Sequence, residues 1–82
     1  MAKNMEGYTL YYMVHCPFCT KVLSYIEKLG LMVDLKNTSD PQNKKELQAG
    51  GGKSMVPCLR HPDGKWQYES GDIIEFLRKN FS

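Results

Sequence analysis

Tyr8-Thr9-Leu10-Tyr11-Tyr12-Met13-Val14-His15-Cys16-Pro17-Phe18-Cys19 is the stretch on which the fold turns. Its opening run, Tyr8 to Val14, is apolar on alternate and intervening positions alike and rich in aromatics. That pattern suits a central strand covered on both faces. Pro17 then stands where a helix takes its first residue, since a proline there gives up no needed hydrogen bond. Phe18, Val22, Ile26 and Leu29 follow at helical spacing with Leu23 beside them, which reads as an amphipathic helix. Gly30 is placed to end that helix as a C-terminal cap. Cys16 therefore falls at the junction where a strand ends and a helix begins.

Outward from this junction, residues 1–7 read as a loose leader. On the other side, Leu31, Val33 and Leu35 alternate with Met32, Asp34 and Lys36, the signature of a short strand. Asp40-Pro41 restarts a helix, with Asp40 as cap and Pro41 in the first turn. That helix is short and polar and ends at Gly50-Gly51-Gly52. Residues 56–60 read as a third strand. His61-Pro62-Asp63-Gly64 is a turn, and Trp66 and Tyr68 alternate on a fourth strand, so the two strands form a hairpin. Ser70-Gly71-Asp72 opens a last helix with Ile73, Ile74, Phe76 and Leu77 on its buried face. The order β-α-β-α-β-β-α describes an α/β fold, a four-stranded mixed sheet carrying three helices.

The chain has 82 residues, enough for one domain with a modest core, and residues 1–82 are read as a single unit. The net charge of +2 comes from scattered lysines, which argues against a nucleic-acid surface. No apolar run approaches a membrane span, and the N-terminus carries no signal-peptide core, so a cytoplasmic protein is expected. Three cysteines do not make an even disulfide framework, and in a reducing compartment such cysteines are more often catalytic or metal-binding.

Cys16 is the chemical focus. A helix N-terminus carries unpaired N–H groups and a partial positive charge, which stabilise an anion. A free thiol titrates near ~8.5, and positions of this kind lower it into the range ~3.5–7.5. The thiolate is the species that attacks disulfides. Cys19 lies one turn on, where Cβ atoms at i and i+3 stand about 5–6 Å apart. A disulfide needs about 3.8 Å, so closure requires only a local adjustment. A second reading pairs Cys16-x-x-Cys19 with Cys58-x-x-His61 as a structural zinc site, on ligand type and pair spacing. Cys58 otherwise reads as a small buried strand residue, His61 as a surface residue of the hairpin, and Trp66 and Tyr68 as sheet packing.

Cys16-Pro17-Phe18-Cys19 resembles the active site of glutaredoxins, C-P-[YF]-C. Two further segments support the resemblance: Lys53-Ser54-Met55-Val56-Pro57, similar to the family's segment ending in a cis-proline, and Glu69-Ser70-Gly71-Asp72-Ile73-Ile74, similar to its glutathione-binding corner. The Glu-Ser form of that corner is shared with glutathione-transferase N-terminal domains. The resemblance covers residues 8–81 and implies the thioredoxin fold, glutathione as co-substrate, and no metal. It implies Cys16 as nucleophile and Cys19 as resolving thiol. It further implies a glutathione site of Phe18, Lys53, Val56, Pro57, Glu69, Ser70, Gly71 and Asp72. Within it Val56 would pair with the peptide backbone, Lys53 would face the glycyl carboxylate, and the last helix would take the γ-glutamyl carboxylate. The expected partners are glutathione and glutathionylated or disulfide-bearing client proteins, and the expected state is a monomer. Met13 departs from the family, which often has a basic residue there. The departure keeps one alternative open, a thioredoxin-like reductant served by a flavoprotein reductase; a second, a dimer holding an iron–sulfur cluster on Cys16 with external glutathione, stands because thiolates are the usual cluster ligands.

Overall fold

The computed structural model describes residues 3–81, with side chains from Met5 onward. Four strands, β1 (Lys3–Tyr12), β2 (Leu31–Asn37), β3 (Cys58–Arg60) and β4 (Trp66–Tyr68), alternate with three helices, α1 (Pro17–Leu29), α2 (Pro41–Gly51) and α3 (Ser70–Phe81). The order is the one expected from the sequence. The sheet runs β2-β1-β3-β4. β1 pairs with β2 in parallel and with β3 antiparallel, and β3 and β4 form the antiparallel hairpin. Both expected mixed-sheet halves are thus present, joined through β1.

Alternation along β1 builds two cores. Leu10 joins Met5, Val22, Ile26, Leu31, Leu59, Ile73 and Leu77 on the face covered by α1 and α3. Tyr11 turns to the other face and packs with Leu47 of α2, Cys58, Trp66 and Tyr68. Such a division follows from the two-residue repeat of a strand. Burying one leucine such as Leu77 stabilises the fold by about 1.5–3 kcal/mol, so the first, larger cluster dominates.

The helix ends follow their local chemistry. Gly30 takes a left-handed φ of 67° and its N–H caps α1 on the carbonyls of Ile26 and Glu27. The Asp40 carboxylate accepts from the Gln42 N–H at 3.0 Å, and Gly52, at φ 83°, closes α2. Gly50 has a further role: a Cβ there would lie 2.0 Å from the Trp66 ring. At Gly51 a Cβ would lie 1.9 Å from the Tyr68 hydroxyl. The glycines thus end α2 and also let it settle directly onto the β4 aromatics.

Three expectations are corrected. The leader is not loose from Lys3 onward: Lys3 and Asn4 pair with Leu31 and Met32, and Met5 is buried. Its pattern was obscured because the β1–β2 register slips between Asn4 and Thr9, around Gly7 at φ 84°. Met1 and Ala2 lie outside the described residues. The third strand begins at Cys58, not at Val56; Val56 and Pro57, joined by a cis peptide bond, precede it. His61 is buried, not at the surface. Its Nε2 meets Gln67 Oε1 at 3.0 Å, and its ring lies 4.7 Å from that of Phe76 and 5.2 Å from that of Tyr8.

Candidate functional site

Cys16 is the N-cap of α1, in extended conformation (φ −106°, ψ 113°). Its carbonyl accepts the Thr20 N–H at 2.9 Å, which starts the helix. Its Sγ accepts the Cys19 N–H at 3.4 Å, within reach for sulfur. The expected amide-to-sulfur geometry is therefore present. Burial by itself would raise the Cys16 pKa. The Cys19 thiol and the Cys19 and Phe18 N–H groups outweigh that, and the net shift is downward. Cys19 moves the other way. It is fully buried, and burial, reinforced by the negative Cys16 sulfur, pushes it up to about 12 against an opposing backbone hydrogen bond from Met13. The two cysteines are divided by environment: one partly exposed and stabilised as an anion, the other buried and held as a hydrogen-bond donor.

The approach to Cys16 is strained. His15 is exposed and sits at φ 66°, a left-handed conformation that costs a non-glycine residue about 1–3 kcal/mol. The strand end at Tyr12 and the helix start at Pro17 leave few residues to turn the chain, and His15 absorbs the turn. Glu69, at φ 74°, does the same between β4 and α3. Glu69 lines the cleft described next.

A cleft of about 200 Å³ is lined by Phe18, Met55, Val56, Pro57, Glu69 and Ser70. Phe18 belongs to the first turn of α1, which Cys16 caps; Cys16 itself is not among the lining residues. Three segments distant in sequence meet here, and the residues singled out from each are brought together. Met55, which lines the cleft and is largely exposed, was missed; its place immediately before Val56-Pro57 was the available signal. The Val56-Pro57 bond is cis, as the glutaredoxin resemblance implied. Ligand pockets usually exceed about 300 Å³. A cleft this small and open suits one end of an extended ligand, with the rest lying across the surface. Gly71 and Asp72 are exposed in the first turn of α3, and a Cβ on Gly71 would meet open space. N–H groups of a first turn have no partner within the helix and favour an anion.

Lys53 does not line this cleft. Its carbonyl accepts the Tyr68 hydroxyl at 2.9 Å, and its ammonium lies 5.8 Å from the centre of the Tyr68 ring. Cys58 is fully buried and burial raises it to about 11, the behaviour of a packing residue rather than of a reactive thiol. The zinc reading does not fit this donor arrangement. Cys58 packs on the α2 face of the sheet, whereas His61 packs with Tyr8 and Phe76 on the side of the other helices. No group of three or more His, Cys, Asp or Glu among the described residues is placed to hold a metal. No helix among them is long and apolar enough to cross a membrane.

Comparison with known proteins places the chain. The family model "Glutathione S-transferase, N-terminal domain" matches residues 10–82. The chain belongs to this family. It therefore has a thioredoxin-like fold, and the corner around Glu69 and Ser70 falls within the matched region. Among solved structures, the omega 3C glutathione transferase of Trametes versicolor superposes with a TM-score of 0.80 at 24% identity, covering 93% of this chain and 34% of that one. Glutathione S-transferase 1-6 of Anopheles dirus species B gives 0.74 at 26% identity, with 90% and 36% covered. A glutathione S-transferase of Methylobacillus flagellatus, solved with glutathione bound, gives 0.75 at 25% identity, with 89% and 36% covered. The chain spans about a third of the length of these transferases. A search of curated proteins finds no match.

Proposed function

We propose that this chain is a glutathione-linked thiol–disulfide oxidoreductase of the glutaredoxin type. The observation that carries the reading is the Cys16 sulfur at the cap of α1, accepting the Cys19 N–H at 3.4 Å with its acidity raised. The Cys16 thiolate attacks the glutathione sulfur of a client–glutathione mixed disulfide. A Cys16–glutathione bond forms, the client–glutathione bond breaks, and the client sulfur leaves with the electron pair and takes a proton from water. A second glutathione thiolate attacks the glutathione sulfur on Cys16. Oxidised glutathione departs and the Cys16 thiolate returns.

With a client disulfide, Cys16 becomes joined to one client sulfur and Cys19 must complete the exchange. Joining Cys16 removes the negative sulfur that helps hold Cys19 protonated. Cys19 becomes easier to ionise at the step that needs it. It attacks Cys16, the Cys16–Cys19 disulfide forms, and the client leaves reduced. The glutathione moiety lies along Phe18, Val56 and Pro57, with its γ-glutamyl end held by Glu69 and Ser70 and its carboxylate at the backbone N–H groups that open α3 around Gly71 and Asp72. The bound glutathione in the Methylobacillus flagellatus relative supports glutathione as the ligand. Lys53 lies outside the cleft lining, with its ammonium 5.8 Å from the Tyr68 ring centre.

The family also favours a second reading, in which glutathione's own sulfur is transferred to an electrophile. The atom stabilised as an anion here belongs to the protein, which favours exchange. The experiment is turnover of a glutathionylated peptide and of a protein disulfide by the chain, Cys16→Ser and Cys19→Ser. Cys16→Ser loses both activities, whereas Cys19→Ser keeps the first and loses the second. Equal loss in both variants, or conjugation of an aryl halide that survives Cys16→Ser, overturns the proposal.

A further inference from the structure

We infer that Tyr68 is a positioning residue for the glutathione cleft, acting as a strut beneath the wall formed by Met55, Val56 and Pro57; this rests on the proposed glutathione site. Tyr68 is on β4 and does not line the cleft. Its hydroxyl nevertheless donates to the carbonyl of Lys53 at 2.9 Å, two residues before Met55. The Lys53 ammonium lies over the same ring at 5.8 Å, so one aromatic side chain holds both ends of that residue. On the ring's other contacts stand the buried Cys58 and the end of α2, where Gly51 leaves room for the hydroxyl.

The segment between Gly52 and Cys58 belongs to no helix or strand. Its exposed residues Lys53, Ser54 and Met55 have few ways to hold a fixed path. Tyr68 supplies one from outside the segment. The strut fixes the distance between α2 and the cleft wall, and with it the position of the Val56 backbone that a tripeptide would pair with. Gly51 is part of the same device. An alanine there has an acceptable backbone but places a methyl group where the Tyr68 oxygen now is.

The test compares the chain with Tyr68→Phe and Gly51→Ala. S-methylglutathione is the binding probe because it cannot react. Its Kd is measured by calorimetry, and steady-state turnover of a glutathionylated peptide gives kcat and the KM for glutathione. Both variants should raise Kd and KM about three- to tenfold, the scale of one neutral hydrogen bond. kcat and the ultraviolet titration of the Cys16 thiolate should stay within twofold of the parent. Backbone order parameters for residues 53–56 should fall from rigid values near ~0.85 toward ~0.6 without any ligand. Unchanged Kd and order parameters overturn the strut, as does a fall in kcat with a shifted Cys16 titration, which marks general loosening. If the parent chain fails to bind S-methylglutathione, the glutathione site itself is wrong, and the order parameters alone still decide whether Tyr68 braces the segment.

Discussion

At the scale of single residues, Cys16 and Cys19 share a helical turn and the same side chain, yet their acidities part. Removing the Cys19 thiol deletes one of the donors that lower Cys16. Cys19→Ala should therefore raise the Cys16 pKa toward the ordinary thiol value near ~8.5 while leaving the backbone donors in place. Iodoacetamide alkylation followed against pH reads this directly: the rate of the parent chain should rise at lower pH than that of the variant. An identical pH profile for the two would show that the thiol contributes nothing. This site was legible in the sequence because its elements are local. A cap, a proline and a cysteine three residues on are all read within one turn. Met55 and the burial of His61 were not legible in that way. Both depend on which remote segments arrive beside them, Phe18 and Glu69 in one case, Tyr8 and Phe76 in the other.

At the scale of elements, α2 is the least self-sufficient. Leu47 is its one fully buried residue among those described, and its first turn depends on the Asp40 cap. Its other anchors are polar: the Tyr11 hydroxyl donates to Glu46, whose carboxylate also pairs with Lys36 at 2.7 Å. Lys36 above all, and then the Tyr11 hydroxyl, hold Glu46 below the usual carboxylate range. Exposed pairs of this kind are worth little, about 0–1 kcal/mol, so the glycine–aromatic packing matters more. Gly50→Ala tests it. An alanine ordinarily favours a helix by about 1 kcal/mol, but overpacking costs about 1–3 kcal/mol, and the Trp66 ring cannot bend away. The variant should be less stable by up to about 2 kcal/mol in urea denaturation, and a stabilised variant would show that α2 does not rest on Trp66. The stop at Gly50-Gly51-Gly52 was readable from composition; the need for bare backbone there was not, because Trp66 and Tyr68 are far along the chain.

For the molecule as a whole, buried protonated groups set the response to alkali. Burial raises Cys58 to about 11. In the unfolded chain the same thiol ionises near ~8.5, so the unfolded state releases its proton first as pH rises. The stability this group contributes is complete below that value and drains away as pH climbs to about 11, by an amount on the order of 3 kcal/mol. Cys58→Ala should lower stability at pH 8 through the lost packing, yet shrink the further loss between about pH 8.5 and about 11. Urea midpoints across that window measure both. An undiminished alkaline loss would assign it to Tyr11, raised to about 12 by burial and by Glu46, and to Cys19. The order of elements was legible throughout, since each carries its own period and punctuation. The start of β1 was hidden by its register slip, and the division of the sheet into two faces emerges only when β1 is seen at the centre.

That division makes the two halves of the molecule unequal in tenacity. One side interlocks two helices through a continuous aliphatic layer, whereas the other is a lone polar helix leaning on aromatic rings. Transient detachment of α2 would leave the nucleophile's helix undisturbed and shift only the wall opposite Phe18. On the proposed reading, the Cys16 sulfur is thus mounted beside the better-buried half, and the wall that would hold the tripeptide borders the half with fewer buried residues.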